Sequence, residues 1–297
     1  MKNSELISVV IITYNRYFKD IYRSINSVLN QTYNNIEIIL VDDNNPNSKC
    51  RYDIEKSIKK MKKIKYIKHD YNMGAQVARN TGIKNSFGKY IAFLDDDDEW
   101  MKDKIEQQIK PIKDDVGLVY SMGKIVIEET GDIKDYVTTK KFNSEVTFKD
   151  LLYADYIGTT TQALIPKNVF NVVGDFDINQ PARQDYEMWL RISKKYKCVG
   201  VSKPLFKHYI HAGEQISKNN NKAIIGLKNI LKKYKKDYSK NPSAKWHICF
   251  LISNRYKRDK KYISCIIYFI EAAYNVLKAL LIDRKQFLNR INNKIMR

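Results

Sequence analysis

An apolar run, Tyr90 to Leu94, leads without a break into four consecutive aspartates, Asp95, Asp96, Asp97 and Asp98, followed by Glu99 and Trp100. Four like charges side by side repel one another, so the run calls for a compensating cation. A strand that ends in carboxylates at a turn suits a hard divalent ion, Mg²⁺ or Mn²⁺, which takes oxygen ligands and keeps positions open for phosphate oxygens. The competing reading is an acidic, solvated turn with no ligand. A calcium-binding EF-hand loop does not fit, because Trp100 stands where that loop needs glycine for its sharp turn.

Upstream, the same pattern occurs twice more. Ile7 to Thr13 is a continuous apolar, β-branched run that reads as a buried parallel strand and ends at Tyr14-Asn15-Arg16. Ile21, Ile25, Val28 and Leu29 then fall at helical spacing, which predicts a helix to about Asn30. Ile36 to Val41 is a second buried strand, ending in Asp42-Asp43-Asn44. A helix is expected from Asp53 to Met61, a short strand from Ile64 to Lys68, a turn at Asn72-Met73-Gly74, and a helix through Val77, Ala78, Thr81 and Ile83 to a stop at Gly88. Strand–helix alternation of this kind predicts an α/β domain with a parallel sheet, in which ligands bind beyond the carboxyl ends of the strands. Three polar clusters stand at three such ends, and they should converge on one crevice.

Two phosphate-binding solutions are missing. The first strand is not followed by GxGxxG, and no GxxxxGK[ST] occurs, so an ordinary dinucleotide dehydrogenase and a P-loop NTPase are both disfavoured. The four cysteines, Cys50, Cys198, Cys249 and Cys265, are scattered without a CxxC pair, which argues against a zinc module or a disulfide scaffold and suits a reducing compartment.

Beyond Trp100, a helix is expected through Ile105, Gln108 and Ile109 to Pro111. Val116 to Ser121 and Lys124 to Glu128 read as two further strands, antiparallel and joined by a turn. Residues 129–158 give little signal. Thr159-Thr160-Thr161-Gln162 reads as a strand entry or as the hydroxyl-rich lining of a sugar site. Gln184-Asp185-Tyr186-Glu187-Met188-Trp189-Leu190-Arg191 reads as a helix burying Met188, Trp189 and Ile192, with Asp185 near its start, where the helix dipole favours an anion. His208 and His211, three apart, read as structural more readily than as a metal pair.

Taken in order, Val9 to Arg16, Val41-Asp42-Asp43, Asn72-Met73-Gly74 with Ala78-Arg79-Asn80, Phe93 to Trp100 and Gln184 to Arg191 resemble the motifs of the inverting family 2 glycosyltransferases of bacterial cell-surface polysaccharide type. The match covers roughly residues 6–217. The resemblance implies the GT-A nucleotide-diphospho-sugar transferase fold, a mixed, mostly parallel central sheet flanked by helices. It implies a catalytic domain over residues 1–217, with a nucleotide-binding half to about residue 100 and an acceptor half after it. It also implies Tyr14 packing on the nucleotide base, Asp42 or Asp43 hydrogen-bonding it, and Asp95 and Asp96 contacting the donor. Asp97, the last residue of the DxD motif, would bind Mn²⁺ or Mg²⁺ on the diphosphate, with Asp98 and His211 beside it. Asp185 would be the catalytic base. Gln184 stands where the family often has glutamate. The donor implied is a UDP-sugar, and the acceptor a glycan or lipid-linked hydroxyl. Glycosidases also use paired carboxylates, but their mechanism calls for no nucleotide crevice. A nucleotidyltransferase would want a Gly-rich basic loop after the first strand, which Thr13-Tyr14-Asn15-Arg16 is not.

Charge separates the rest of the chain from this body. The formal net charge is +20, and residues 218–297 hold 20 Lys/Arg against 4 Asp/Glu, leaving only +4 for residues 1–217. A basic helical region is therefore expected from 218 to 297, with an apolar stripe of Ile263, Ile266, Ile267, Ile270, Ala273, Tyr274, Leu277, Leu280 and Leu281. Such a stripe with basic flanks suits an anionic membrane surface, a catalytic-domain contact with a solvated basic face, or a polyanion. A non-enzymatic polyanion- or nucleic-acid-binding protein is the alternative function. Against it, the aspartate crevice would repel phosphate backbones, so no nucleic-acid partner is expected. Glu271, Asn275 and Lys278 interrupt the stripe and disfavour a spanning helix, and Met1 to Ser8 lacks a signal-peptide core. The expectation is a cytoplasmic protein, peripheral on the inner face of the membrane.

Overall fold

The structure is a computed structural model that describes residues 5–136, 145–210 and 219–295 of the 297-residue chain. The chain forms two compact units: Met1–Thr147 with Ile157–Ile178 and Arg191–Ala212, and Phe148–Tyr156 with Asn179–Leu190 and Gly213–Arg297.

The first unit is built on one mixed sheet. Its strands are β1 (Ile7–Thr13), β2 (Ile36–Asp42), β3 (Ile64–Lys68), β4 (Tyr90–Asp95), β5 (Glu99–Trp100), β6 (Val116–Ile127), β7 (Ile133–Tyr136), β8 (Glu145–Val146), β9 (Leu164–Pro166) and β10 (Lys197–Ile210). They lie in the order β3-β2-β1-β4-β9-β6-β10-β5, with β7 on β6 and β8 on β10. β1, β2, β3 and β4 are parallel, as are β6 and β10, while β9 runs antiparallel between the two groups. Most paired residues are thus parallel, as expected. The register sets the site: Thr13 lies opposite Asp42, and Ile12 opposite Asp95. The three polar clusters therefore leave the sheet at the same level.

The strands are apolar on both faces because helices cover both. Ile7, Val9, Ile11, Ile38, Leu40, Ala92 and Leu94 share one cluster with Ile21, Ile25 and Val28 of α1 (Phe18–Leu29) and with Ile54 and Ile58 of α2 (Lys49–Ile58). On α3 (Ala75–Asn85), Gly82 lies so close to Val10 that an added Cβ would stand 2.3 Å from a valine methyl. Phe93 meets Phe170 of α6 (Asn168–Val173) and Phe176 edge-on, with ring centroids 6.4 and 5.5 Å apart.

Several boundaries differ from the sequence reading. α2 begins at Lys49, four residues early, because the Ser48 hydroxyl caps it by accepting from the Arg51 amide at 3.1 Å. α3 ends at Asn85, short of Gly88. Gly88 serves a close approach instead, since a Cβ there would lie 2.5 Å from the Ser8 nitrogen. The two strands expected over Val116 to Glu128 are one strand, parallel to β10. Gly123 is no turn: the Phe206 ring fills the space beside it, 2.2 Å from where a Cβ would be.

α4 (Lys104–Ile109) follows the aspartate turn as expected. The second unit holds α5 (Phe148–Tyr153), the start of α7 (Gln184–Ser193), α8 (Asn220–Lys233), α9 (Lys235–Ser239), α10 (Pro242–Arg258) and α11 (Tyr262–Ile295). The basic region is helical throughout its described length. α10 and α11 are antiparallel partners: Tyr256 stacks on Tyr268 at 5.7 Å, the Ser253 hydroxyl donates to the Cys265 carbonyl at 2.9 Å, and Lys245 pairs with Glu271 at 2.5 Å. All four cysteines are free thiols.

Candidate active site

The carboxyl ends of β1, β2 and β4 are tied together by their own side chains. The Asn15 amide, just past β1, donates to the Asn44 side chain just past β2 at 2.7 Å. Asn15 takes φ +56°, a left-handed conformation that asparagine tolerates better than most residues. Tyr14, beside it, is 52% exposed, an aromatic face left open at the mouth of the crevice.

Asp42 is completely buried. One of its oxygens accepts from the Asn44 amide and side chain at 2.8 and 2.7 Å; the other accepts from Arg51 Nε at 3.2 Å and from the Tyr66 hydroxyl. Arg51 also donates to the carbonyls of Asp42, Asn44 and His69. Asp43 is equally engaged. Its Oδ1 accepts from the Met73 amide and meets His69 Nδ1, both at 2.8 Å, and its Oδ2 accepts from the Gly74 amide at 2.8 Å. Gly74 sits at φ +88°, where a side chain would be strained, so Asp43 fixes a turn that needs glycine. The second cluster thus builds a shelf: its carboxylates hold the backbone of two loops.

The aspartate turn divides its four residues between crevice and interior. Asp95 is half-buried, and its Oδ1 receives Arg79 at 3.1 Å and the Thr160 hydroxyl at 3.3 Å. Asp97 is half-buried and pairs with Arg16 at 2.9 Å. Asp96 is half-buried too; burial, and then the charge of Asp97, push its pKa up to about 7, with Thr13 and Arg16 pulling back. Asp98 points inward and is fully buried, with Oδ1 2.8 Å from His208 Nδ1 and Oδ2 accepting from the Thr161 hydroxyl at 2.7 Å. Burial lifts the Asp98 pKa to about 6 against the pull of His208. For His208 burial works the other way, but the hydrogen bond and charge of Asp98 outweigh it and raise its pKa. The 3-10 turn Thr160–Gln162 is therefore the clamp of this loop: Thr161 also accepts from the Asp95 amide at 3.2 Å, and its carbonyl receives the Trp100 indole at 3.2 Å.

The crevice presents an open aromatic face and two half-buried carboxylates, each paired with a guanidinium, beyond the carboxyl ends of the inner strands β1 and β4. An aromatic face and guanidinium forks at strand ends can take an aromatic base linked to a diphosphate. Residues 8–174 match the family described as Glycosyl transferase family 2. The chain belongs to that family.

Among similar proteins, the UDP-Glc:alpha-D-GlcNAc-diphosphoundecaprenol beta-1,3-glucosyltransferase WfaP of Escherichia coli is 36% identical over 77% of this chain and 86% of its own length. The uncharacterized glycosyltransferase RC0461 of Rickettsia conorii is also 36% identical over 77% of this chain, which spans only 37% of that longer protein. The crystal structure of S. aureus TarS 1-349 in complex with UDP-GlcNAc superposes with a TM-score of 0.64 at 18% identity, covering 90% of this chain and 81% of that one. That likeness shows the GT-A fold of this family 2 glycosyltransferase.

The structure groups Tyr14, Asp42, Asp43, Asp95, Asp96, Asp97 and Asp98 at one edge of the first unit. Asp185 belongs to the second unit, in the first turn of α7, with its Oδ1 accepting from the Tyr186 amide at 2.8 Å. The residue before α7, Arg183, is held at φ +60°, an uncommon conformation for a side chain of its size. His211 lies outside the described residues. The sequence reading gave no contact to Arg16 or Arg79, took Thr161 as part of a strand entry or sugar-site lining, and took His208 as structural. Their signal was present in the motif positions of Arg16 and Arg79, but only the sheet register shows them reaching the aspartates. For a divalent metal, the described residues offer no cluster of three or more His, Cys, Asp or Glu ligands. A Mg²⁺-type site needs only one or two carboxylates when substrate phosphates supply the rest, and Asp97 on the crevice side fits that requirement.

Proposed function

We propose that this glycosyltransferase moves a sugar from a UDP-sugar to a hydroxyl of a lipid-linked diphosphate glycan, with inversion at the anomeric carbon. The observation that carries the reading is the meeting of Tyr14, Arg16, Arg79, Asp95 and Asp97 at the level ends of β1, β2 and β4. Tyr14 stacks on the base. Asp42 and Asp43 act on the base side by fixing the Asn44 and Gly74 loops. Asp95, with Asp96 beside it, faces the ribose side. Arg16 and Arg79 are paired to carboxylates with 29% and 12% of their side chains exposed, and their planar forks suit the diphosphate oxygens.

Asp97 would hold Mn²⁺ or Mg²⁺, and when bound the ion would neutralise charge on the departing diphosphate. Asp98, engaged by His208 and Thr161, supports the turn from within. Asp185 serves as general base: its carboxylate takes the proton of the acceptor hydroxyl as that oxygen forms its bond to the anomeric carbon. The bond from the anomeric carbon to the diphosphate breaks on the opposite face, and UDP leaves with the electron pair. The name of WfaP supports a diphosphate-lipid acceptor, and such an acceptor supports work at the cytoplasmic face of the cell membrane.

Titration with nucleoside diphosphates, with and without Mn²⁺, tests the donor site. UDP should bind more tightly with Mn²⁺, and Asp97→Ala should remove that gain. Asp185→Asn should keep UDP binding while transfer drops by about 10²–10⁴-fold. Folded wild-type protein that binds no nucleotide would overturn the reading.

A further inference from the structure

α11 has one face packed and one face bare. Ala272, Asn275 and Ala279 are buried on the side of α10. On the other side stand Ile263, Ile266, Ile267, Phe269, Ile270, Tyr274, Leu277, Leu281 and Ile282, none less than 55% exposed, with Ile263 at 80% and Leu281 at 87%. At 100° per residue, these positions sweep about half the helix circumference or more. Solvated helices carry charge on such a face. Here Tyr262–Ile282 contains only Glu271 and Lys278, and Glu271 is turned to Lys245 of α10.

We infer that this bare face of α11 is a membrane-docking surface that lies in the plane of an anionic phospholipid bilayer, its apolar arc in the acyl region and α10 on the water side. Charge selects this occupant. From residue 242 onward the chain has 12 Lys/Arg against 3 Asp/Glu. Exposed Lys257, Arg258, Lys260 and Lys261 stand at the start of the apolar segment and exposed Arg284 just past its end. Basic groups at both ends of an apolar arc meet anionic headgroups along its length. Tyr262, at the rim of the arc, puts an amphipathic ring at the same boundary.

Two other placements fit less well. Residues 263, 267, 270, 274, 277 and 281 follow a 4-3-4-3-4 spacing that would serve a coiled-coil seam with a second copy. The arc is wider than a seam, however, since Ile266, Phe269 and Ile282 are bare as well. Tyr262–Ile282, 21 residues, is also long and apolar enough to cross a bilayer. Crossing would carry α10 with it and set the Lys245–Glu271 pair near the midplane, at high cost. The inference deepens the membrane-side placement proposed above, yet it stands on α11 alone and is tested without donor or acceptor.

The experiment is flotation of the full-length protein with vesicles of phosphatidylcholine alone or with 30% phosphatidylglycerol, at low salt. Wild type should float with the anionic vesicles. Ile267→Gln/Ile270→Gln/Leu277→Gln alters only exposed positions. It should keep its helical circular dichroism and lose at least about a hundredfold in partition, at about tenfold per isoleucine or leucine withdrawn. Lys257→Gln/Lys260→Gln/Lys261→Gln should lose about fivefold per charge, with the loss shrinking as salt is added. Alkaline carbonate should strip bound protein from the vesicles. Wild type that ignores anionic vesicles, or a triple apolar variant that floats as well as wild type, overturns the inference. So does protein that resists carbonate, which would mean a spanning helix. A lipid-free dimer that the apolar variant dissolves, with flotation unchanged, would give the face to a second copy. UDP titration is independent of all these outcomes, so failure of the donor site and failure of the docking surface are told apart.

Discussion

At Asp42 a wholly buried carboxylate meets Arg51, Tyr66 and Asn44, and this is where a single residue decides the shape of the loops after β2 and β3. Arg51 is itself buried, with 6% of its side chain exposed, and it spans the carbonyls of both loops that follow β2 and β3. Removing it leaves a buried charge without its cation and several carbonyls without a donor. Arg51→Ala is therefore expected to lower unfolding free energy by about 3–5 kcal/mol in urea titration. Arg51→Met with Asp42→Asn should recover part of that loss, because no charge is then left buried alone. A single-variant loss under about 1 kcal/mol would mean that water enters the shelf and replaces the guanidinium. The residue types at this shelf were visible in sequence as Asp42-Asp43-Asn44, whereas Arg51 sat unnoticed just ahead of the helix expected from Asp53. Its partner lies nine residues away, across a loop whose path the sequence does not specify.

Among the elements, β6 and β10 carry the plainest lesson. Val116 to Ser121 and Lys124 to Glu128 read as two short antiparallel strands, yet the structure has one strand of 12 residues beside one of 14, running parallel. Gly123 is small because the Phe206 ring crosses over it. Gly123→Ala should cost about 1–3 kcal/mol from overpacking, measured by thermal or urea unfolding, and Phe206→Leu should relieve it in the double variant. If the two substitutions simply add, the ring does not press on Gly123. A glycine chosen for absent volume looks in sequence like a glycine chosen for a turn; the difference lies in a residue 83 positions away. The near-continuous apolar strands β1, β2 and β4 were legible for the opposite reason. Burial on both faces leaves a local mark, and so does the polar residue where each strand meets water.

For the whole molecule, charge is the property that sequence states outright. A formal net charge of +20 on 297 residues implies self-repulsion in the compact state. Raising ionic strength from about 10 mM to about 150 mM shortens the screening length from about 30 to about 8 Å, so the melting temperature should rise. A fall would mean that attractive pairs such as Arg16–Asp97 and Arg79–Asp95 outweigh the repulsion. Sequence by itself determined the α/β class, the strand ends that bear the polar clusters, the family and the basic helical extension. Each of these rests on local patterning or on composition, which need no knowledge of neighbours in space. Tertiary structure decided which aspartates stay at the crevice and which turn inward, because that depends on Thr161 and His208 arriving from distant strands and turns. It also decided that α11 covers α10 with one face and leaves the other bare. An apolar stripe reads the same in sequence whether it is covered or not. Only packing shows which apolar surface the fold leaves for something else to bury.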